Sequence, residues 1–198
     1  MKNETVLLIT SAQNDLLDSS GKAWELVRST VEQNRVPEKL SRLVEHARKV
    51  GMPVLFSPIE LDYGAMAKIE PLTAIRSLIV KSQLLARSTP GVQRISRISA
   101  HPGDIVLRPR QGFSSFWART IQDDLARLGA RTIIIAGKLA EACVTSHARD
   151  AAENGYRPVV VRDAIGSSSP EILEASLKTL ALHTHALVTC QDVCAGQV

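Results

Sequence analysis

The stretch from Ile133 to Tyr156, IIIAGKLAEACVTSHARDAAENGY, leads from a β-branched run through a glycine into an alanine-rich segment with a single cysteine, Cys143. A cysteine in the first turn of a helix sits where backbone N–H groups converge and the helix dipole favours negative charge. Such a place makes a thiol easier to ionise, and the same N–H groups can hold the oxyanion of an adduct on sulfur. Cysteine is also among the residue types most often buried as packing. Position alone leaves Cys143 open between nucleophile and core residue. His147, four residues on, shares its helical face and is expected to be a hydrogen-bonded helix histidine. Glu141 lies in the preceding turn, where it either reaches into a pocket or stays solvated, and its spacing does not choose between the two. Asp15 and Asp18 follow the first apolar run closely and read as cap or loop carboxylates.

Six runs read as the strands that must position these groups: VLLIT (6–10), PVLFS (53–57), DIVLR (104–108), TIIIAG (132–137), PVVVRDA (158–164) and HALVT (185–189). Leu40, Leu43, Val44, Ala47 and Val50 recur at helical spacing, with Pro37 at the start and Gly51 past the end. Ile121, Leu125 and Leu128 place a stripe on a short helix ended by Gly129. Further helices are expected from Cys143 to about Asn154 and from Pro170 to about His183. The interval 59–103 is less legible, with helix expected between Leu72 and Arg87. Mostly apolar strands alternating with helices describe an α/β fold, a doubly wound three-layer α/β/α with a parallel sheet, and residues 1–198 are expected to form one domain. Right-handed crossovers bring the carboxyl ends of such strands to one edge, where open sheets bind ligands. Those ends carry Thr10, Ser11, Ser57, Arg108, Arg110 and the run from Gly137 to Cys143.

Composition narrows the partners. A net charge of +4 is scattered rather than blocked, and aromatic residues make up only 4% of the chain, which argues against a nucleic-acid surface. No apolar stretch approaches the roughly 20 residues of a membrane span, so no membrane partner is expected and the protein reads as cytoplasmic. The three cysteines suit a reducing compartment, and Cys190 and Cys194 lack the further ligands a zinc site needs. None of the five histidines has ligand spacing, and no glycine-rich phosphate loop follows the first strand, so neither metal nor cofactor is expected.

Three segments resemble the isochorismatase-like cysteine hydrolases, the family of nicotinamidases and of ureidoacrylate and carbamoyl amidohydrolases. VLLITSAQNDLLD is similar to that family's first strand with its D-x-Q-N-D-F motif. DIVLRPRQGFSSFWARTIQDDLARLG is similar to its D-x-V-x-x-K-x-x-x-S-x-F segment. TIIIAGKLAEACVTSHARDAAENGYRPVVVRDAIG resembles its nucleophile segment, with Gly137, Cys143, Val144, Arg149–Asp150–Ala151, Gly155–Tyr156 and Asp163–Ala164 in register. The resemblance implies a six-stranded parallel sheet between helices, in agreement with the periodicity. It implies hydrolysis of a small amide, ureido or related C–N compound through a thioacyl intermediate on Cys143.

The family's chemistry also uses an Asp that takes the thiol proton and a Lys that holds it. Here Ser11 stands at the Asp position, Arg110 at the Lys position on an ungapped count back from Phe116, with Gln111 there instead if a bulge shifts the register, and Ala140 where a Thr is usual. Serine cannot accept the proton, and arginine holds an anion but cannot shuttle one. The resemblance places Leu139, Ala140, Glu141 and Phe116 around the pocket, and a homo-oligomer is expected. Phe113, Phe116 and Trp117 suit a pocket rim, a subunit interface or the monomer interior. The segment FSPIELDYG after the second strand lacks the Asp-x-His pattern of the metal-binding branch. A second reading stays open, an impaired family member that keeps a binding or assembly role.

Overall fold

The six apolar runs form six parallel strands in a computed structural model that describes residues 4–66, 72–98, 101–118 and 120–198. They are β1 (Thr5–Thr10), β2 (Val54–Ser57), β3 (Ile105–Val106), β4 (Thr132–Lys138), β5 (Arg157–Gly166) and β6 (Ala186–Val188), in the order β3-β2-β1-β4-β5-β6. Around them lie α1 (Asn14–Leu17), α2 (Trp24–Asn34), α3 (Val36–Lys49), α4 (Tyr63–Met66), α5 (Ala74–Ser82), α6 (Thr120–Leu128), α7 (Thr145–Glu153), α8 (Pro170–His183) and α9 (Cys190–Cys194).

Because side chains alternate across a strand, the central strands feed two cores. Leu7, Ile9, Ile134 and Ala136 face Val27 and Val31 of α2 and Leu40, Leu43 and Val44 of α3. Val6, Leu8, Ile133 and Ile135 face Ile121 and Leu125 of α6, Ala148 and Ala151 of α7, and Leu180 of α8. With both faces covered, the strands have no polar side to show, which is why they read as continuous apolar runs. The fold is the expected doubly wound α/β/α.

The structure departs from the sequence-based expectation in its details. The third strand contracts to Ile105–Val106 at the sheet edge. Helix α2 was not expected, since only Val27, Thr30 and Val31 of its WELVRSTVEQN sequence are buried and no strong apolar stripe announces it. The segment at Cys143 does not start as an α-helix. A π-helical turn, Ala140–Val144, comes first, and α7 begins at Thr145. Among the described residues no helix is long and apolar enough to cross a membrane.

One glycine sets the sheet edge that matters for function. Gly137 pairs with Thr10, has φ +122°, and a Cβ there would lie 2.1 Å from the Thr10 carbonyl oxygen. Neither the conformation nor the space suits any other residue. Gly137→Ala is expected to lose at least about 3 kcal/mol of stability, from strain and overpacking together. Urea unfolding of the variant checks this.

Candidate active site

Strand register gathers the polar groups at one edge. Thr10 is level with Ser57 on one side and Gly137 on the other, and Ile59 bridges to Arg110 beyond the ends of β2 and β3. Ser11 follows β1 in a left-handed conformation, φ 54°, which turns the chain at the sheet edge.

Arg110 is 2% exposed, and the oxygens it donates to are all neutral. Its Nη1 donates to the Ser57 carbonyl and, at 2.7 Å, to Ser57 Oγ; its Nη2 donates to Thr10 Oγ1 at 2.9 Å and to Ser11 Oγ at 2.7 Å. Nε has no hydrogen-bond partner among the described residues. No carboxylate pairs with this guanidinium among the described residues. Burial lowers its pKa from the ordinary arginine value, while the neighbouring Cys143 sulfur works the other way, by charge and by hydrogen bonding. The structure thus brings Ser11, Arg110 and Cys143 into one cluster.

His147 lies under this cluster and is fully buried. The Ser115 backbone N–H donates to its Nε2 at 3.1 Å, and Nδ1 lies 2.7 Å from the Cys143 carbonyl oxygen. Nε2 must accept, so Nδ1 carries the proton and donates to the carbonyl. Burial, followed by the charge of Arg110, pushes the His147 pKa down to about 3. The ring is a neutral support for the turn, with no free nitrogen for the thiol proton, as the sequence predicts.

A cavity of about 330 Å³ opens above the sulfur, with Cys143, Leu139, Glu141, Phe113, Leu16 and Val27 among its lining. The Glu141 carboxylate is fixed at its edge, accepting from Ser167 Oγ at 2.9 Å and from the Ser168 N–H at 3.0 Å. Ala140 and Phe116 are corrections to the expected pocket. Both belong to the core on the opposite face of the sheet, where Phe116 packs against the rings of His147 and Tyr156. Neither lines the cavity. The three neighbouring aromatics part company: Phe113 lines the cavity, Phe116 is core, and Trp117 is 69% exposed. Asp15 is a buried fastener that accepts from the Leu85 N–H at 2.7 Å, and Asp18 is a loop carboxylate bonded to Ser20.

Sequence reasoning passed over Lys138. It ends β4 fully buried, its Nζ donating to the Leu16 carbonyl at 3.3 Å. Burial pushes its pKa well below the ordinary lysine value, with Glu141 opposing the shift. A lysine closing an apolar strand just before the nucleophile turn was the available signal. Among the described residues no three His, Cys, Asp or Glu side chains come together to hold a metal.

The isochorismatase domain profile matches residues 5–192, and the chain belongs to that family of hydrolases. It is 26% identical over 181 residues to ureidoacrylate amidohydrolase RutB of Methylorubrum extorquens, covering 86% of this chain and 73% of that one. Among solved structures, a cysteine hydrolase from Pseudomonas syringae pv. phaseolicola superposes with a TM-score of 0.82 at 20% identity, covering 97% of this chain and 91% of that one. N-carbamoylsarcosine amidase from Thermoplasma acidophilum gives a TM-score of 0.73 at 20% identity, covering 94% and 95%. At those identities the two structures speak for the fold alone.

Proposed function

We propose that the chain is an amidohydrolase of this family that acts on a small amide, ureido or related C–N compound, with Cys143 as nucleophile and Arg110 in place of a proton-relaying pair. The observation that carries this reading is the buried Arg110 guanidinium with no carboxylate partner among the described residues. A buried cation held only by hydroxyls and a carbonyl lacks an anion, and the adjacent sulfur is the group able to become one. Four of its five N–H donors are committed to Ser57, Thr10 and Ser11, and Nε–H is left without a partner among the described residues. In a relative with Asp at position 11 a carboxylate takes the proton. Here the guanidinium is the positive charge beside the attacking sulfur, and Ser11 holds it in place.

The proton has to go somewhere. Glu141, the one carboxylate on the cavity wall, takes it when the thiol ionises. The sulfur attacks the substrate carbonyl carbon, and the C–N bond breaks as the departing nitrogen receives that proton. Water then attacks the thioacyl carbon, one proton returns to Glu141, and the carboxylic acid product leaves with the thiolate restored. A screen of amides, ureas and carbamates should find turnover in the wild type that falls at least about 10³-fold in Cys143→Ala, the scale of losing a nucleophile that acts within a group. Turnover that survives Cys143→Ala would overturn the assignment. A screen with no turnover in the wild type would favour the impaired, binding-only reading.

A further inference from the structure

The cavity above Cys143 is unusual for a site meant to hold a small polar compound. Of the described residues that line it, all but Glu141, Cys143 and Ser168 are apolar. The walls come from three directions: Val27 from α2, Ile75 and Leu78 from α5, and Phe113 from the loop before α6. Leu26 and Leu78, which also line it, are 42% and 46% exposed, so the apolar surface continues outward to the mouth. At about 330 Å³ it falls near the lower end of ordinary ligand pockets, which range from about 300 to 1,000 Å³.

The charges around the cavity point the same way. Among the described residues Glu141 and Cys143 are the ionisable groups on its wall, and in the proton transfer proposed above the pair carries one negative charge. The nearby cations among the described residues do not line it: Arg110 is held by Thr10, Ser11 and Ser57, Lys138 is fully buried, with burial favouring its neutral form, and Arg76 sits against the Phe113 ring. A carboxylate brought into such a cavity gives up its water for apolar walls and a like charge. An alkyl or aryl group brought there gains from leaving water.

Resting on the hydrolase reading, we propose that this cavity selects a neutral carboxamide or related acyl compound that carries an apolar group, and turns away substrates that carry a carboxylate on that group. The reacting carbonyl lies against Cys143 at the floor. The apolar group extends between α2 and α5 toward Leu26 and Leu78. Phe113 closes one side, its ring held from outside by the Arg76 guanidinium 5.0 Å from the centroid.

Binding and turnover test this separately. Calorimetric titration of the Cys143→Ala protein with acetamide, butanamide and hexanamide is expected to show affinity rising about three- to fourfold per methylene added. Adipamate, which is hexanamide ending in a carboxylate, is expected to bind at least tenfold more weakly than hexanamide. Leu78→Asp, a change at a half-exposed position, is expected to remove most of the dependence on chain length in a variant shown to be folded by circular dichroism. Affinity that does not change with chain length, or adipamate binding as well as hexanamide, overturns the inference. Wild-type turnover is then measured on the same compounds. Chain-length-dependent binding with no turnover leaves the inference standing and removes the hydrolase reading, whereas preferred hydrolysis of adipamate does the reverse.

Discussion

Arg110→Met is expected to slow alkylation of Cys143 by iodoacetamide at pH 7 about 10- to 100-fold, the range expected when a buried opposite charge beside an ionising group is removed. Only the thiolate reacts, so the rate reports how well the site holds the ionised sulfur. In the wild type the neighbouring charge is a guanidinium with, among the described residues, no competing carboxylate and one uncommitted N–H. Methionine keeps much of the side-chain volume and removes that charge. Arg110→Lys keeps the charge but cannot reach Ser57, Thr10 and Ser11 at once, so an intermediate rate is expected. Ser11→Asp gives the guanidinium a nearer anion and is also expected to slow alkylation.

Cys190 supplies the internal control, since burial, followed by the neighbouring Cys194, pushes its pKa up to about 12. Peptide mapping after brief exposure should find the label on Cys143 ahead of Cys190. Equal rates in wild type and Arg110→Met, with both proteins folded by circular dichroism, would mean that the sulfur is not activated by Arg110. The binding-only reading would then replace catalysis.

Acid is expected to unfold the protein through His147. Its pKa falls from the ordinary 6.5 to about 3 in the folded state, first because burial disfavours the imidazolium and second because Arg110 is close. The unfolded chain binds a proton below about pH 6.5 that the folded one refuses until near pH 3. The contribution is therefore complete above about pH 6.5 and is lost as the pH falls through that window. The slope is about 1.4 kcal/mol per pH unit, or about 3–5 kcal/mol over the whole interval. Carboxylates titrate in part of the same range, so the informative quantity is a difference. His147→Gln is expected to be less stable by about 1–3 kcal/mol at pH 7, because the Ser115 N–H and the Cys143 carbonyl lose well-placed partners. It should also lack this share of the acid slope. Urea unfolding at pH 7, 6, 5 and 4 for both proteins measures it. Parallel curves would show that His147 takes a proton in the folded state as readily as in the unfolded one.

Both predictions concern groups whose presence is plain in the sequence and whose setting is not. Helix α8 was legible at both ends, Pro170 and His183, because its signals are local: Ser169 caps it by accepting from the Ile172 N–H, and a proline occupies its first position. The strands were legible because burial on both faces leaves an apolar run whatever the neighbours are. Gly137 and Cys143 could be located on the same grounds, one as a break after a strand and the other as the cysteine of the next turn. Helix α2 escaped because only two of its apolar side chains, Val27 and Val31, are buried. What only the tertiary structure decided is which side chains meet. Phe113 and Phe116 stand three residues apart, and the chain path alone sends one to the cavity and the other to the opposite core. Lys138, which the sequence reading passed over, is a fully buried strand end whose Nζ donates to the Leu16 carbonyl of α1. Arg110 gains its meaning from Thr10, Ser11 and Ser57, which lie 53 to 100 residues away in the chain and become its neighbours only through strand order and register. Local patterns of polarity and spacing determine the elements; contacts between distant elements, and the charge balance they create around one sulfur, are set only when the sheet assembles.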